Sequence, residues 1–399
     1  MSQAELSIEA EALVTSALFD AWTRNATHVH VEVHEGEMAF RFRIEGALVM
    51  GARVPERLAP ALFEVLLQMA DMRPVDARVP QMGVFEPNDL PGLDLVRVDT
   101  IPQAFGGSKI LLTLHWHETR EEIPLAELGL ENDALEALRQ AISKRAGLVV
   151  VTGPTESGKN TTVYASLLEI DRDARSVATA EIVARSALPG VQQVTEDRDV
   201  GLDQEAILRS HLRSDVDVIY VRELISMETA ELAVSAVTGH GKLVLTTLHT
   251  NDAVDVPVRL MNMGVEPQLL AHALLLVQGQ RRLRRLCEDC KTPIDISAET
   301  LMDAGLEPSR VTDASCHQAV GCEACGDIGY LDRVLVAESL PMSDAIKGAI
   351  REWAPVETLR DLALAGGMRS MRQHALALVC AGQTSLEEVL MHTPAPSVR

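Results

Sequence analysis

The feature that most constrains this chain is a glycine-rich turn between an apolar run and a lysine. Residues 149–152 are Val-Val-Val-Thr, and the segment Gly-Pro-Thr-Glu-Ser-Gly follows them and leads into Lys159. An apolar strand, such a turn, a lysine and a helix form the loop whose backbone N–H groups surround nucleotide phosphates. Gly153 and Gly158 permit the turn, and Lys159 would meet the β- and γ-phosphates. The sequence predicts a phosphate-binding loop, with a helix-capping glycine turn and a chance lysine as the structural alternative.

The residue after this lysine departs from the usual loop. That position ordinarily carries Ser or Thr, because the hydroxyl binds Mg²⁺. Here it is Asn160, whose amide offers an oxygen but is longer and carries a competing NH₂ group. Thr161 is no simple replacement, because one helical step turns its side chain about 100° away from the loop. The loop thus predicts the fold of an NTPase, and Asn160 predicts weaker binding of Mg²⁺ than in the usual loop.

The composition is that of a globular protein. The chain has 399 residues, of which 47% are hydrophobic and 24% charged, which suits two or three domains. A net charge of −22 opposes binding to nucleic acid, so no nucleic acid partner is expected. The basic run 281–285 is interpreted as a solvated helix face or a subunit contact. The chain has neither an apolar run of ~18 residues nor a basic, apolar start, so we expect a cytoplasmic protein.

Apolar periodicity divides the chain into segments. Residues 1–117 alternate helical and strand patterns, which predicts an α+β domain. Its predicted helices and strands are 9–22, 28–32, 38–44, 59–72, 93–98 and 110–116, with a hairpin turn at Glu45-Gly46. The charged segment 118–130 contains Pro124 and predicts a linker.

The rest of the chain contains three further predicted segments. Residues 131–280 alternate helical stretches with short apolar strands, a pattern typical of a parallel sheet covered by helices. The predicted strands are 147–152, 177–182, 216–221 and 242–247. Residues 281–338 contain paired cysteines, and residues 339–399 are predicted to be helical.

Two Cys-x-x-Cys pairs favour a metal site. Cys287 and Cys290 form the first pair, and Cys322 and Cys325 form the second. Four thiolates at this spacing are strong evidence for a closed, tetrahedral structural Zn²⁺ site, since disulfides are rare in the cytoplasm. Four unrelated reduced thiols are the alternative. The remaining cysteines match no ligand spacing and are interpreted as apolar fillers: Cys316 and Cys380.

Polar residues follow two of the predicted strands. Glu223 comes soon after the strand 216–221, which would place its carboxylate beside the γ-phosphate and the water shell of Mg²⁺. His249 follows the strand 242–247. An acidic residue at a strand end is usually only solvated, and a lone histidine after a strand is usually structural. Both residues gain weight because the phosphate loop precedes them.

The combination of motifs resembles the secretion ATPases of type II secretion and type IV pilus assembly. The matching segments are residues 26–32, 41–46, 153–162, 208–215, 228–230, 238–240 and 247–253, together with both cysteine pairs. The resemblance implies a RecA-like P-loop core with an N-terminal PAS-like α+β domain, a zinc-binding insertion and a C-terminal helical subdomain. It also implies ATP binding with Mg²⁺, a hexameric ring, and inner-membrane platform proteins that hold the ring peripherally at the membrane.

The resemblance carries site roles onto matching residues of this chain. The implied catalytic residues are Glu181, Glu223 and His249. The implied nucleotide contacts are Gly153, Pro154, Thr155, Ser157, Gly158, Lys159, Asn160, Thr161 and, from the first domain, Arg97. The implied Zn²⁺ ligands are Cys287, Cys290, Cys322 and Cys325.

The chain departs from the family at polar positions of the predicted site. Glu156 stands where relatives usually have glycine, and a non-glycine residue costs ~1–2 kcal/mol if that backbone is left-handed. Residues 179–185 correspond to an acidic segment of the family, here called the acidic box, in which Ile182 replaces an aspartate and Arg185 replaces a glutamate. In the first domain, Thr113 replaces the partner of Arg97.

Two hypotheses therefore share one fold and one pocket. The first is an ATP-hydrolysing motor subunit in a homo-hexamer. The second is a pseudo-ATPase, impaired by Glu156, Asn160 and Ile182, that serves as a scaffold or regulatory subunit in a mixed hexamer with an active paralogue. A nucleic acid translocase of the same superfamily is disfavoured by the net charge of −22 and the cysteine pairs.

Overall fold

The chain divides into two compact units, Met1–Glu121 and Glu122–Arg399. The computed structural model describes residues 3–34, 37–72, 79–87, 89–102, 108–116, 123–182, 184, 186–197, 200–308 and 314–395. Arg185 and residues 118–122 of the predicted linker lie outside the described residues.

The first unit is an antiparallel sheet packed against two helices. Its elements are α1 (Gln3–Thr23), β1 (His28–His34), β2 (Glu37–Ile44), β3 (Ala47–Arg53), α2 (Ala59–Met69), β4 (Gln81–Phe85), β5 (Leu93–Pro102) and β6 (Ser108–Trp116). The strand order is β3-β2-β1-β6-β5-β4. Both helices and the sheet contribute to one apolar core, in which Val14, Phe40 and Leu66 are buried. The predicted α+β domain is confirmed.

The predicted hairpin lies between β2 and β3. Ile44 pairs with Ala47, and Glu45 and Gly46 form the turn with φ values of 46° and 79°. Two consecutive positive φ values are typical of the type I′ turn, whose twist matches that of the flanking strands.

The second unit is built on a seven-stranded sheet with the order β15-β12-β7-β11-β10-β8-β9. Its strands are β7 (Gly147–Thr152), β8 (Val177–Glu181), β9 (Val191–Thr195), β10 (Val218–Val221), β11 (Leu243–Leu248), β12 (Leu274–Leu286) and β15 (Tyr330–Pro341). Strands β7 to β12 pair in parallel, and β15 pairs antiparallel to β12. Every residue of β7, β8, β10 and β11 is buried, because apolar clusters cover both faces of the sheet. The predicted parallel sheet covered by helices is confirmed.

Helices complete the second unit. The helices before the cysteine pairs are α3 (Asn132–Ile142), α4 (Lys159–Glu169), α5 (Gln204–Arg213), α6 (Met227–Thr238), α7 (Asp255–Asn262) and α8 (Pro267–Ala273). The cysteine segment contains the short strands β13 (Thr292–Pro293) and β14 (His317–Gln318), and the helix α9 (Ala298–Asp303). The predicted helical C-terminus consists of α10 (Asp344–Arg351), α11 (Val356–Ala365), α12 (Met371–Cys380) and α13 (Leu386–His392).

The basic run 281–285 is part of β12, so its interpretation as a helix face was wrong. Leu283 in this run and Leu286 directly after it are both buried three residues apart, a spacing that resembles a helical turn. In the structure the register with β15 shifts between Arg284 and Leu286, and this irregularity lets both leucines turn inward. The segment limits drawn from sequence at residues 280 and 338 also fall inside β12 and β15, which are paired strands of one sheet.

Candidate functional site

The glycine-rich loop joins β7 to α4 and takes the conformation that its glycines permit. Gly153 has φ 149° and Gly158 has φ 87°, both outside the range that other residues adopt readily. A Cβ atom on Gly153 would lie 2.2 Å from the carbonyl oxygen of Gln280. The loop ends at Lys159, the first residue of α4, so backbone N–H groups at the helix N-terminus face the loop.

Glu156 occupies the middle of this loop in a left-handed conformation, with φ 64°. A residue with a Cβ atom costs ~1–2 kcal/mol there, which explains the glycine that the resemblance led us to expect. The Glu156 carboxylate lies 3.8 Å from Nη1 of Arg333, a residue of β15. The loop therefore carries its own negative charge beside an arginine.

Lys159 is buried, and its ammonium group lies within the loop. Nζ donates to the carbonyl oxygens of Gly153 at 2.9 Å and Pro154 at 2.8 Å. Nζ also lies 3.4 Å from Nδ1 of His249, which follows β11. The structure thus brings Lys159 and His249 together, while their roles at a nucleotide stay predictions.

Glu223 completes a chain of polar contacts with this lysine. Its Oε1 lies 3.2 Å from Nε2 of His249. These contacts fit a neutral imidazole that donates from Nε2 to Glu223 and accepts from Lys159 at Nδ1. The carboxyl ends of the parallel strands β10 and β11 meet at one edge of the sheet, which explains why the two side chains converge.

Asn160 and Thr161 do not form the usual Mg²⁺ position. Oδ1 of Asn160 accepts a hydrogen bond from the Tyr220 hydroxyl at 3.3 Å. Thr161 is exposed on α4, and the hydroxyl of Thr162 donates to Gln280 at 3.1 Å. Since no hydroxyl follows Lys159 directly, Oδ1 of Asn160 is bonded to Tyr220 and the Thr162 hydroxyl is bonded to Gln280, the residues present do not fit Mg²⁺ in the ordinary arrangement.

Glu181 lies at the end of β8 and is 1% exposed. Its carboxylate accepts hydrogen bonds from the hydroxyl of Tyr164, from Thr179 at 2.8 Å and from Gln193 at 3.3 Å. The next residue, Ile182, is an exposed apolar side chain. The acidic box thus contributes Glu181, a buried carboxylate that accepts three hydrogen bonds.

Gln280 is a site residue that sequence analysis missed. It is fully buried in β12, and its Nε2 donates to the carbonyl oxygen of Ser157 at 2.9 Å. Its Oε1 accepts from Thr162, so one side chain holds both the loop and α4. The available signal was a glutamine that follows the apolar start of β12, because a buried amide needs partners. Ser157 itself is buried, and no partner is recorded for its hydroxyl among the described residues.

Two other predicted nucleotide contacts, Thr155 and Arg97, lie in different units of the chain. Thr155 is exposed in the loop. Arg97 belongs to β5 of the first unit, opposite Thr113, and its Nε donates to Asp99 at 2.8 Å. The role of Arg97 at the nucleotide stays a prediction.

The four paired cysteines come together in the second unit. All four Sγ atoms lie within 4.8 Å of one another. Cys287 is 3.9 Å from Cys322, Cys290 is 3.9 Å from Cys325, and Cys322 is 3.7 Å from Cys325. Four sulfurs at the Zn–S distance of ~2.3 Å from a tetrahedral Zn²⁺ would be about 3.8 Å apart. The residues therefore fit structural Zn²⁺.

Backbone groups support this sulfur cluster. The N–H groups of Gly321 and Gly329 donate to Cys290 at 3.3 Å and to Cys325 at 3.2 Å. Such donors around the ligands are typical of metal sites, because they orient the sulfurs. Cys287 follows β12 and Cys325 precedes β15, so Zn²⁺ held by the four cysteines would tie together these two strands. Cys316 belongs to a separate apolar cluster and Cys380 packs against it.

Comparison with known proteins identifies the family. The sequence model of the family described as "Type II/IV secretion system protein" matches residues 3–391. The chain belongs to this family. The resemblance inferred from the motifs is confirmed, and the family is one of ATPases, which implies nucleotide use and Mg²⁺.

Individual relatives of this family member come from both kinds of system. The chain is 37% identical over 384 residues to the type IV pilus assembly ATPase PilB of Myxococcus xanthus, covering 96% of this chain and 67% of that protein. It is 36% identical over 382 residues to the type II secretion system protein E of Aeromonas hydrophila, covering 96% of this chain and 75% of that protein. The solved Legionella pneumophila ATPase DotB has the same fold, with a TM-score of 0.66, 17% identity and 95% of each chain covered. Among the described residues, no helix is both long and apolar enough to cross a membrane.

Proposed function

We propose that this protein binds ATP as a motor-type subunit of a type II secretion or type IV pilus assembly system, and couples ATP binding and hydrolysis to assembly of a pseudopilus or pilus. The observation that carries the proposal is the contact set of Lys159, whose Nζ lies within the phosphate loop and 3.4 Å from His249. Membership of the family and its pilus and secretion ATPases support the same function.

The geometry favours different roles for the two candidate carboxylates. Glu223 is partly exposed and contacts His249, so it can reach a water molecule near a bound γ-phosphate. Glu181 is buried and already accepts three hydrogen bonds, so its contribution is to hold Tyr164 and the end of β8. We assign Glu223 and His249 to the reacting phosphate and Glu181 to positioning.

A specific observation favours a second function, that of a pseudo-ATPase. Asn160 replaces the hydroxyl residue that usually binds the metal, and its amide oxygen is bonded to Tyr220. Ile182 is an exposed apolar side chain at the position where the family has an aspartate. Loss of prearranged charge removes transition-state stabilisation, whereas the backbone N–H groups and Lys159 still bind phosphates. In this form the chain is a scaffold or regulatory subunit.

The proposed assembly is a hexamer, either of this chain alone or mixed with an active paralogue. Platform proteins of the inner membrane are the proposed partners, and they would hold the ring peripherally at the cytoplasmic side. Family membership supports both statements. We also propose separate roles for two segments of the chain: residues 131–280 bind nucleotide, and the cysteine segment binds zinc.

Binding of Mg·ATP, measured together with steady-state phosphate release, tests the proposal and separates its two forms. The purified chain is compared with Lys159→Ala and with the double variant Glu156→Gly, Asn160→Thr. Turnover that Lys159→Ala abolishes supports the motor. Nucleotide binding without turnover supports the pseudo-ATPase, above all if the double variant also fails to hydrolyse ATP. Absence of nucleotide binding contradicts both forms.

A further inference from the structure

The position at which the loop usually binds Mg²⁺ lacks its hydroxyl ligand in this chain, because Asn160 follows Lys159. Asn160 is bonded to Tyr220 at 3.3 Å, and Ile182 is apolar and exposed. Glu181 is buried and bonded by three donors, and Glu223 contacts His249. A divalent cation that bridges the β- and γ-phosphates needs hard oxygen ligands at this point, and these residues supply few.

Two arginines flank the phosphate loop from the neighbouring strands. Arg333 of β15 lies 3.8 Å from the Glu156 carboxylate. A Cβ atom on Gly158 would lie 3.7 Å from Cδ of Arg282, a residue of β12. Both arginines therefore approach the loop itself.

The strand register explains why the arginines converge. In the β12–β15 pair, Arg282 lies opposite Leu335 and Arg284 lies opposite Arg333. Alternate residues of a strand share a face, so Arg282 and Arg333 lie on one face of the sheet as diagonal neighbours. Gln280 shares that face, and its bond to the Ser157 carbonyl at 2.9 Å shows that this is the face beneath the loop.

We infer that the loop binds a nucleotide polyphosphate without Mg²⁺, and that Arg282 and Arg333 supply the positive charge that the metal supplies elsewhere in the family. Guanidinium groups suit this role, because they are always charged and bind phosphate oxygens in pairs. The inference rests on the proposed binding of ATP and on neither form of turnover.

Glu156 has a defined part in this arrangement. Its carboxylate is the anion beside Arg333, so a phosphate group must displace it to reach the guanidinium. The side chain is part exposed, which allows it to swing toward solvent when phosphate arrives. Glu156 thus lowers the affinity for nucleotide and keeps the loop paired until nucleotide is bound.

The test is calorimetric titration of the full chain with ATP, once with excess EDTA and once with excess Mg²⁺. We expect the two dissociation constants to agree within about threefold. In EDTA, Arg282→Gln and Arg333→Gln should each weaken binding about tenfold, the loss of one charge-assisted hydrogen bond. Glu156→Gln should strengthen binding a fewfold. Arg285→Gln is the matched control, because Arg285 is an exposed arginine of the same run that lies near Glu288, and it should change nothing.

The possible outcomes separate this inference from the proposed function. Binding that requires Mg²⁺, or that both arginine variants leave unchanged, overturns the inference and leaves the proposed function standing. Absence of binding in both buffers overturns the proposed function as well. Unchanged circular dichroism and zinc content of each variant show that the loss of affinity is not a loss of fold. Asn160→Thr should make ATP binding tighter with Mg²⁺ than with EDTA, because the threonine restores the hydroxyl ligand. An unchanged ratio of the two dissociation constants would mean that the missing hydroxyl is not the reason for Mg²⁺-independent binding.

Discussion

Nζ of Lys159 lies 3.4 Å from Nδ1 of His249, although 90 positions separate them in the chain. The contact exists because β7 and β11 are adjacent parallel strands, so the residues that follow them meet at the same edge of the sheet. Through His249 the lysine is connected to Glu223 at 3.2 Å. This chain of polar contacts links the phosphate loop to the residues that we assign to the reacting phosphate.

Loss of the His249 ring should affect turnover more than binding. We expect His249→Ala to lower the rate of phosphate release from ATP about a hundredfold, because Glu223 loses the donor that orients it. The affinity for ADP should change less than about threefold, since Lys159 keeps its loop. His240→Ala is the control, because His240 is exposed in the turn that follows α6. An equal effect of the two variants would contradict the role of His249.

Gln280 should set the shape of the loop. Gln280→Ala leaves the buried Ser157 carbonyl and Thr162 hydroxyl without their partner, which we expect to cost ~2–4 kcal/mol of stability. ATP affinity should fall about tenfold, as measured by calorimetry. Gln278→Ala is the matched control, because Gln278 is equally buried in β12 and its Nε2 contacts Oε1 of Gln280 at 3.5 Å instead of the loop. It should lower stability alone, and a comparable loss of ATP affinity would refute the specific role of Gln280.

Removal of zinc should loosen the β12–β15 pair. We expect about one Zn²⁺ per chain by elemental analysis, and Cys322→Ser should release it and lower the melting temperature. The reason is that the four sulfurs, within 4.8 Å of one another, tie the ends of two paired strands together. Cys380→Ser is the control and should retain zinc, because Cys380 packs against a separate apolar cluster. A chain that purifies without zinc and melts identically in chelator would disprove the metal site.

Glu338 should make stability depend on pH. Burial raises the pKa of this carboxyl from 4.5 to about 7, even though it accepts hydrogen bonds from Ala253 and Met371 at 2.7 Å. Its neighbours Asp252 and Arg360 form an ion pair at 2.6 Å. Because the folded protein favours the protonated acid, the contribution of Glu338 is complete below about pH 4.5 and is lost as the pH rises to about 7.

Denaturant unfolding across this pH range tests the effect. Relative to Glu338→Gln, the unfolding free energy of the wild-type chain should fall by about 3 kcal/mol between pH 5 and pH 8. The glutamine side chain cannot titrate, so the variant removes the contribution of Glu338 to the pH dependence and keeps the contributions of the other groups. Parallel pH profiles of the two proteins would show that folding does not raise the pKa of Glu338.

Local patterns in the sequence predicted the parts of the site that depend on local structure. The loop from Gly153 to Lys159 and the Cys-x-x-Cys pairs are short segments whose geometry follows from their own residues. The left-handed backbone at Glu156 was also predictable, because glycine is the residue that adopts it without cost.

Contacts between distant strands were beyond the sequence. Arg333 reaches Glu156 only because β15 returns antiparallel beside β12, and no local pattern fixes that pairing. The C-terminal part of β12 was not predicted as a strand, because its leucines at a spacing of three fit a helix. Its pairing with β15 contains a register shift between Arg284 and Leu286 that the sequence does not reveal. Gln280 is buried by the same sheet, so its role depends on a fold that its neighbours in sequence do not specify.

The central claim is that this phosphate loop binds ATP through Lys159. Calorimetric titration of the purified chain with ATP, in parallel with Lys159→Ala, tests it most directly. We predict saturable binding of one ATP per chain, weakened at least about tenfold in the variant, because Nζ is the buried cation of the loop. Absence of binding, or equal affinity in the two proteins, would contradict the assignment of this loop as a nucleotide site.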